Sequence, residues 1–146
     1  MSSFTTIEGP ALLPPSVLRN LSDKLYEKRK SAALEVEQVT KQLASSKEWH
    51  RISALVHMLV EDYALSPQAN DRKGGLIGLA AATVALAGDA EEYLMQIVPP
   101  VLNSFTDQDC RVRYYACEAL YNIAKVTRNR FICFFEDVFD ALCRLT

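Results

Sequence analysis

Three arginines set the frame of this chain. Arg29, Arg72 and Arg113 are each followed at the third, seventh and tenth positions by small or apolar residues: Ala32, Val36 and Val39; Gly75, Leu79 and Ala82; Ala116, Leu120 and Ile123. The arginines stand 43 residues apart (72 − 29) and then 41 (113 − 72). A helix returns to the same side every three or four residues, whereas a strand alternates by two, so each stretch reads as one helical face. A unit repeating at this period cannot bury its apolar face alone and must stack on its neighbours. Paired-helix arrays of the HEAT and armadillo kind repeat every ~40–47 residues.

A second amphipathic segment precedes each basic one. Val17, Leu18 and Leu21 follow Pro14-Pro15, and proline suits the first position of a helix. From about Lys47 to Leu65, Trp49, Ile52, Leu55, Val56, Leu59, Val60 and Tyr63 recur at three and four. Asp89 reads as the N-cap of a third such helix, with Tyr93, Leu94, Ile97, Val98, Val101, Leu102 and Phe105 on its apolar side. Pro99-Pro100 removes two backbone donors there, so a kink or break is expected. Polar turns at 66–71 and 106–109 join the helices of a pair, and Gly88-Asp89 separates the second repeat from the third.

The expected fold is all-α, a right-handed α-solenoid of about seven helices, three pairs plus an unpaired C-terminal one. An extended segment at 1–14 leads into repeats at about 15–46, 47–87 and 88–127 and a partial one at 128–146. The last helix carries Phe131, Phe134, Phe135, Val138 and Leu142. That aromatic face is expected to stack on further repeats of a longer chain, or to self-associate, because an apolar end of an array is sticky.

Composition removes several classes of function. The 146 residues are 49% hydrophobic and 23% charged, enough for a real core. A net charge of −2 offers no basic excess for nucleic acid or for strong attraction to anionic lipid. Cys110, Cys117, Cys133 and Cys143 form no CxxC pair and crowd the last quarter of the chain, so they read as buried free thiols in a reducing compartment. No basic start followed by an apolar core marks a leader. The longest apolar stretch, 75–87, has 13 residues, short of the ~20 that span hydrocarbon. A soluble, cytoplasmic protein is the expectation.

Nothing in the sequence supports catalysis, a cofactor or a metal. In Arg72-Lys73-Gly74-Gly75 the lysine precedes the glycines and no strand leads in, unlike a phosphate loop, so close packing of helices at Gly74 and Gly78 is the better reading. His50 and His57 are seven apart, with no third ligand in view. Glu61-Asp62 and Glu91-Glu92 are adjacent and point different ways on a helix.

Two sets of residues remain as candidates. Arg29, Arg72 and Arg113 read as a structural ladder, each bonding an aspartate or a carbonyl in the turns, with Asp23, Asp71, Asp107 and Asp109 nearby. On the second helix of the third repeat, Tyr114, Glu118, Tyr121 and Lys125 lie opposite the inward residues. The equivalent positions are Lys30, Leu34, Glu37 and Lys41 in the first repeat, and Lys73, Ile77, Ala80 and Val84 in the second. Second helices line the concave face of such arrays, so Tyr114, Glu118, Tyr121, Lys125, Lys30 and Lys73 are candidate protein-binding residues. Packing of the two tyrosines against adjacent repeats is the alternative, and the sequence leaves it open.

Four segments, 23–30, 72–81, 113–123 and 139–142, also resemble in order the N-terminal HEAT repeats of the ArPIKfyve family, vacuole-morphology scaffolds of the PIKfyve lipid-kinase complex. The resemblance runs from about Pro15 to Leu145. It implies a non-catalytic scaffold that brings PIKfyve together with a Sac-type phosphatase, controls phosphatidylinositol 3,5-bisphosphate, and is recruited peripherally to endosomal and vacuolar membranes. Another HEAT adaptor, of transport or phosphatase-regulatory type, and a direct lipid-surface module are the alternatives.

Overall fold

The computed structural model describes residues 11–145, so the first ten residues of the expected N-terminal segment lie outside the described residues. Among the described residues every regular element is helical: α1 Pro15–Leu21, α2 Tyr26–Ser45, α3 Trp49–Met58, α4 Ala69–Leu86, α5 Leu94–Asn103, α6 Cys110–Thr127 and α7 Phe135–Arg144. Seven separate helices were expected, and here the structure differs. A π-helical turn, Leu59–Ala64, prolongs α3, and 3-10 turns at Ala87–Tyr93, Ser104–Thr106 and Arg128–Phe134 fill the gaps expected to be loops. Five contiguous helical runs result, 15–21, 26–45, 49–64, 69–106 and 110–144, the last two turning at Ala87 and Arg128. The tighter turns bond backbone groups that a helix end would otherwise leave open.

α2 packs on α4 and α4 on α6, so the three second helices form one layer, backed by α1, by α3 with its π turn, and by α5. Glycine lets the central helix sit this close. A Cβ on Gly74 would meet the backbone of Leu21, one on Gly75 the backbone of Tyr63 and Ala64, and one on Gly78 would come 2.9 Å from Leu59 Cδ2. Buried threonines are satisfied inside their own helices: the hydroxyls of Thr40, Thr83 and Thr127 donate to the carbonyls of Val36, Leu79 and Ile123 at 2.7, 2.8 and 2.7 Å. A polar side chain bonded this way can face the core without a desolvation penalty.

The repeat is also written in the backbone. Lys47, Ala87 and Arg128 have positive φ of 56°, 49° and 47°, at intervals of 40 (87 − 47) and 41 (128 − 87) residues. Each reverses the chain after a second helix. At Lys47 the Glu48 N–H donates to Leu43 O at 2.9 Å and the Lys47 N–H to Ala44 O at 3.0 Å, closing α2 with a Schellman-type cap.

Four further expectations are corrected. Asp89 caps no helix among the described residues; it lies in the 3-10 turn, and α5 starts at Leu94. Pro99 and Pro100 sit inside α5, so the break is not seen there. The carbonyls they leave without donors belong to Met95 and Gln96, both exposed, so water can serve them. Three of the four cysteines, Cys110, Cys133 and Cys143, are exposed rather than buried, because they fall on outward faces of α6 and the C-terminal stretch; Cys117 is half-buried and burial raises its thiol pKa. The stretch Ala69–Thr106 is long and apolar enough to cross a membrane by length and composition, unlike the shorter run read from sequence. Half of its most apolar window is buried in the protein and the chain turns at Ala87, as in a core segment.

The C-terminal aromatics also divide differently. Phe134 is buried in the core, and Phe131 and Val138 pack against it. The outward face is Ile132, Phe135, Phe139 and Leu142, with Phe135 67% exposed and its ring 6.3 Å from that of Phe139 in a stacked pair. The 3-10 segment turns every three residues rather than 3.6, which shifts the phase of residues 131–134 against α7.

Candidate protein-docking site

The three arginines share one local bond. Arg29, Arg72 and Arg113 each donate to the carbonyl six residues earlier, those of Asp23, Ser66 and Asp107, at 2.7, 3.1 and 2.6 Å. Each side chain folds back from the first turn of its helix over the open carbonyls of the preceding turn. Arg72 and Arg113 add a second carbonyl, of Pro67 and Gln108, at 2.9 and 3.2 Å.

Their longer reach differs. Arg72 forms a fork with Asp107 of the next repeat, Nε to Oδ2 at 2.7 Å and Nη2 to Oδ1 at 3.0 Å. Burial pushes the Asp107 carboxyl up, but the hydrogen bonds from Arg72 and the Asp109 N–H and the charges of Arg72 and Arg113 outweigh it, holding its pKa below the ordinary value. Among the described residues Arg29 finds no carboxylate. It is only 4% exposed, donates to Tyr115 Oη at 3.1 Å, and lies with Cζ 5.6 Å from that ring's centre. Its Nε has no partner among the described residues. Asp109 is chiefly a helix cap, its carboxylate accepting from the Arg111 and Val112 N–H groups at 2.8 and 3.4 Å.

Tyr115 is the residue the sequence reading missed. It stacks on Tyr26 at 6.3 Å and meets Tyr114 edge-on at 5.8 Å, joining the first repeat to the third. The available signal was positional. The residue two after each arginine is Ser31, then Gly74, then a tyrosine.

Beside this cluster lies a groove with α4 as floor and α2 and α6 as walls. Lys30 and Glu118 line it and are exposed. Tyr114 and Tyr121 stand out from α6 at 63% and 66% exposure, and Lys125 is exposed one turn beyond. Lys73 does not join them, since its side chain is mostly buried and its Nζ is 3.8 Å from Asp109. Among the described residues no group of histidine, cysteine and carboxylate side chains is placed to hold a metal. What the surface offers is apolar area with aromatic edges and a few charges, the ingredients of a protein interface.

Comparison with known proteins agrees with one family throughout. The profile described as the vacuolar 14 Fab1-binding region matches residues 70–146, from α4 to α7. A protein VAC14 homolog of Arabidopsis thaliana is 66% identical over 134 residues, covering 92% of this chain and 18% of its own length. The vacuole morphology and inheritance protein 14 of Saccharomyces cerevisiae is 47% identical over 133 residues, 90% of this chain and 15% of its own. A protein VAC14 homolog of Schizosaccharomyces pombe is 43% identical over 131 residues, 88% of this chain and 16% of its own. The chain thus spans less than a fifth of the length of these relatives. No solved structure matches it significantly. With 77 of its 146 residues (146 − 70 + 1) inside that profile, the chain belongs to the family of the vacuolar 14 Fab1-binding region.

Proposed function

We propose that this chain is a non-catalytic scaffold segment, a right-handed HEAT-type solenoid of three repeats and part of a fourth, that docks a Fab1/PIKfyve-type phosphoinositide kinase. The observation that carries this reading is the match to the Fab1-binding region over α4–α7, because that stretch presents the exposed Tyr114, Glu118, Tyr121 and Lys125 on one side of α6. In the same reading the scaffold holds a Sac-type phosphatase beside the kinase and so controls phosphatidylinositol 3,5-bisphosphate. It works in the cytoplasm, recruited to endosomal and vacuolar membranes through its partners. The face of Ile132, Phe135, Phe139 and Leu142 takes the next repeat of a longer chain, since an apolar end of an array is stable only when covered.

The experiment is direct binding of the purified chain to recombinant kinase and, separately, to recombinant phosphatase. Retention of the kinase, with at least tenfold weaker retention by a folded Tyr114→Ala/Tyr121→Ala variant, is the expected result. A parent chain that retains no kinase removes the reading.

A further inference from the structure

The groove between α2 and α6 restricts its occupant by shape, backbone and charge. It encloses about 200 Å³ over a floor that runs along α4 from Leu76 to Val84. Leu76 to Val84 spans about 12 Å of helix, and the Arg29–Tyr115 bond between α2 and α6 closes one end, so the groove is shallow and takes one face of an α-helix rather than its full width of about 10–12 Å. Ala80 and Ala81 in the floor allow close approach. Floor and walls are helices with backbone groups bonded internally, and the sole side-chain amide in the lining, Asn122 Nδ2, donates to the Glu118 carbonyl at 3.1 Å. An extended peptide would therefore find no main-chain partner, whereas a helix satisfies its own backbone.

Charge then sets the direction. Lys30 on the α2 wall and Glu118 on the α6 wall have no ion-pair partner among the described residues, while Glu37 is held by Lys41 at 3.0 Å. Two unpaired charges of opposite sign face the groove from opposite sides.

We infer that the groove seats one amphipathic α-helix of the kinase, laid along α4. Apolar side chains spaced about i, i+4 and i+7 rest on Ile77, Ala81 and Val84; an acidic residue flanks Lys30 and a basic one flanks Glu118. The inference rests on the kinase-docking reading above. Laid in the opposite direction along α4, the same helix would set like charges together, so the two walls fix orientation more than affinity.

The test places the photo-reactive residue p-benzoylphenylalanine at position 34, exposed on the α2 wall, and cross-links the chain to recombinant kinase. Dissociation constants are measured in parallel for Lys30→Glu, Glu118→Lys and Leu34→Asp, all surface changes whose folding is checked by circular dichroism. The expected cross-link falls in a kinase segment with apolar spacing of three and four and an acid and a base on opposite flanks. Each charge reversal should weaken binding about 5- to 10-fold, and reversing the facing kinase residue should restore it. Normal binding by all three variants with cross-links elsewhere overturns the groove helix and leaves kinase docking standing. A cross-linked segment without that pattern overturns it as well. A parent chain that does not bind the kinase removes both.

Discussion

Arg29 and Arg72 hold the same place in successive repeats and make the same bond to a carbonyl six residues back, yet they tie the array together by different physics. Arg72 is charge against charge, a two-point fork onto a carboxylate at the rim of the helix layer. Arg29 is charge against aromatic ring, deep in the protein, with a phenol oxygen where the other has a carboxylate and with one guanidinium nitrogen unpaired. A shared sequence position thus fixes the short bond and leaves the long one free. Stability should follow the partner left behind when the arginine goes, rather than the arginine itself.

The largest effect expected is at Arg29. Arg29→Ala opens a cavity beneath Tyr26 and Tyr115 and leaves a buried phenol without its donor, a loss of about 3 kcal/mol in urea unfolding. A cost near zero would mean that Tyr115 repacks and that the first and third repeats are not joined there. Next comes Arg72→Met, which strands a largely buried Asp107 carboxylate and should cost about 2 kcal/mol. Replacing both Arg72 and Asp107 by apolar residues should recover much of that loss. Smaller again is Arg29→Met, expected to cost about 1 kcal/mol, because the volume is kept and the desolvated charge leaves, while the Tyr115 hydroxyl still loses its donor. If Arg29→Met costs more than Arg72→Met, the contrast between the two rungs is wrong.

Acid sharpens the same contrast. The folded pKa of Asp107 lies below the ordinary value of 3.8, so its contribution is complete above the unfolded pKa and is lost as pH falls through the folded one. Asp23, lowered first by the Leu25 N–H, titrates in the same window. The informative quantity is therefore a difference between proteins. Below about pH 4 the stability gap between parent and Arg72→Met should narrow, while the gap between parent and Arg29→Ala should hold.

The helical face behind each arginine was legible because period and apolar spacing are local properties of sequence, and of the inward set Val112, Ala116, Ala119 and Ile123 are buried, with Val126 half-buried. The joints were not. Ala87 and Arg128 adopt positive φ although neither is glycine, and helical turns filled stretches whose composition reads as loop. Those outcomes depend on how tightly successive repeats stack, which no single segment encodes. Phe134 turned inward for the same reason, through a change of helical pitch that a single assumed period cannot anticipate. At the site Tyr114 and Tyr121 are exposed, Tyr114 also meeting Tyr115 edge-on, while Lys73 was misplaced because the pull of Asp109 comes from another repeat.

The last prediction asks whether one rung can be converted into the other. The residue six before the next arginine is Asp107 for the Arg72 rung and Ser66 for the Arg29 rung. By that equivalence Ser66→Asp should place a carboxylate toward the unpaired Nε edge of Arg29. The obstacle is Asp71, whose carboxylate now accepts from the Ser66 hydroxyl at 2.7 Å and would then confront a like charge; the corresponding residue in the third repeat is Val112. Ser66→Asp alone should therefore gain nothing, the new attraction being offset by repulsion. Ser66→Asp with Asp71→Asn should gain about 1 kcal/mol over Asp71→Asn alone and acquire the acid-sensitive behaviour of the Arg72 rung. A double variant no more stable than Asp71→Asn would show that burial around Tyr115, and not the missing carboxylate, is what sets the Arg29 rung apart.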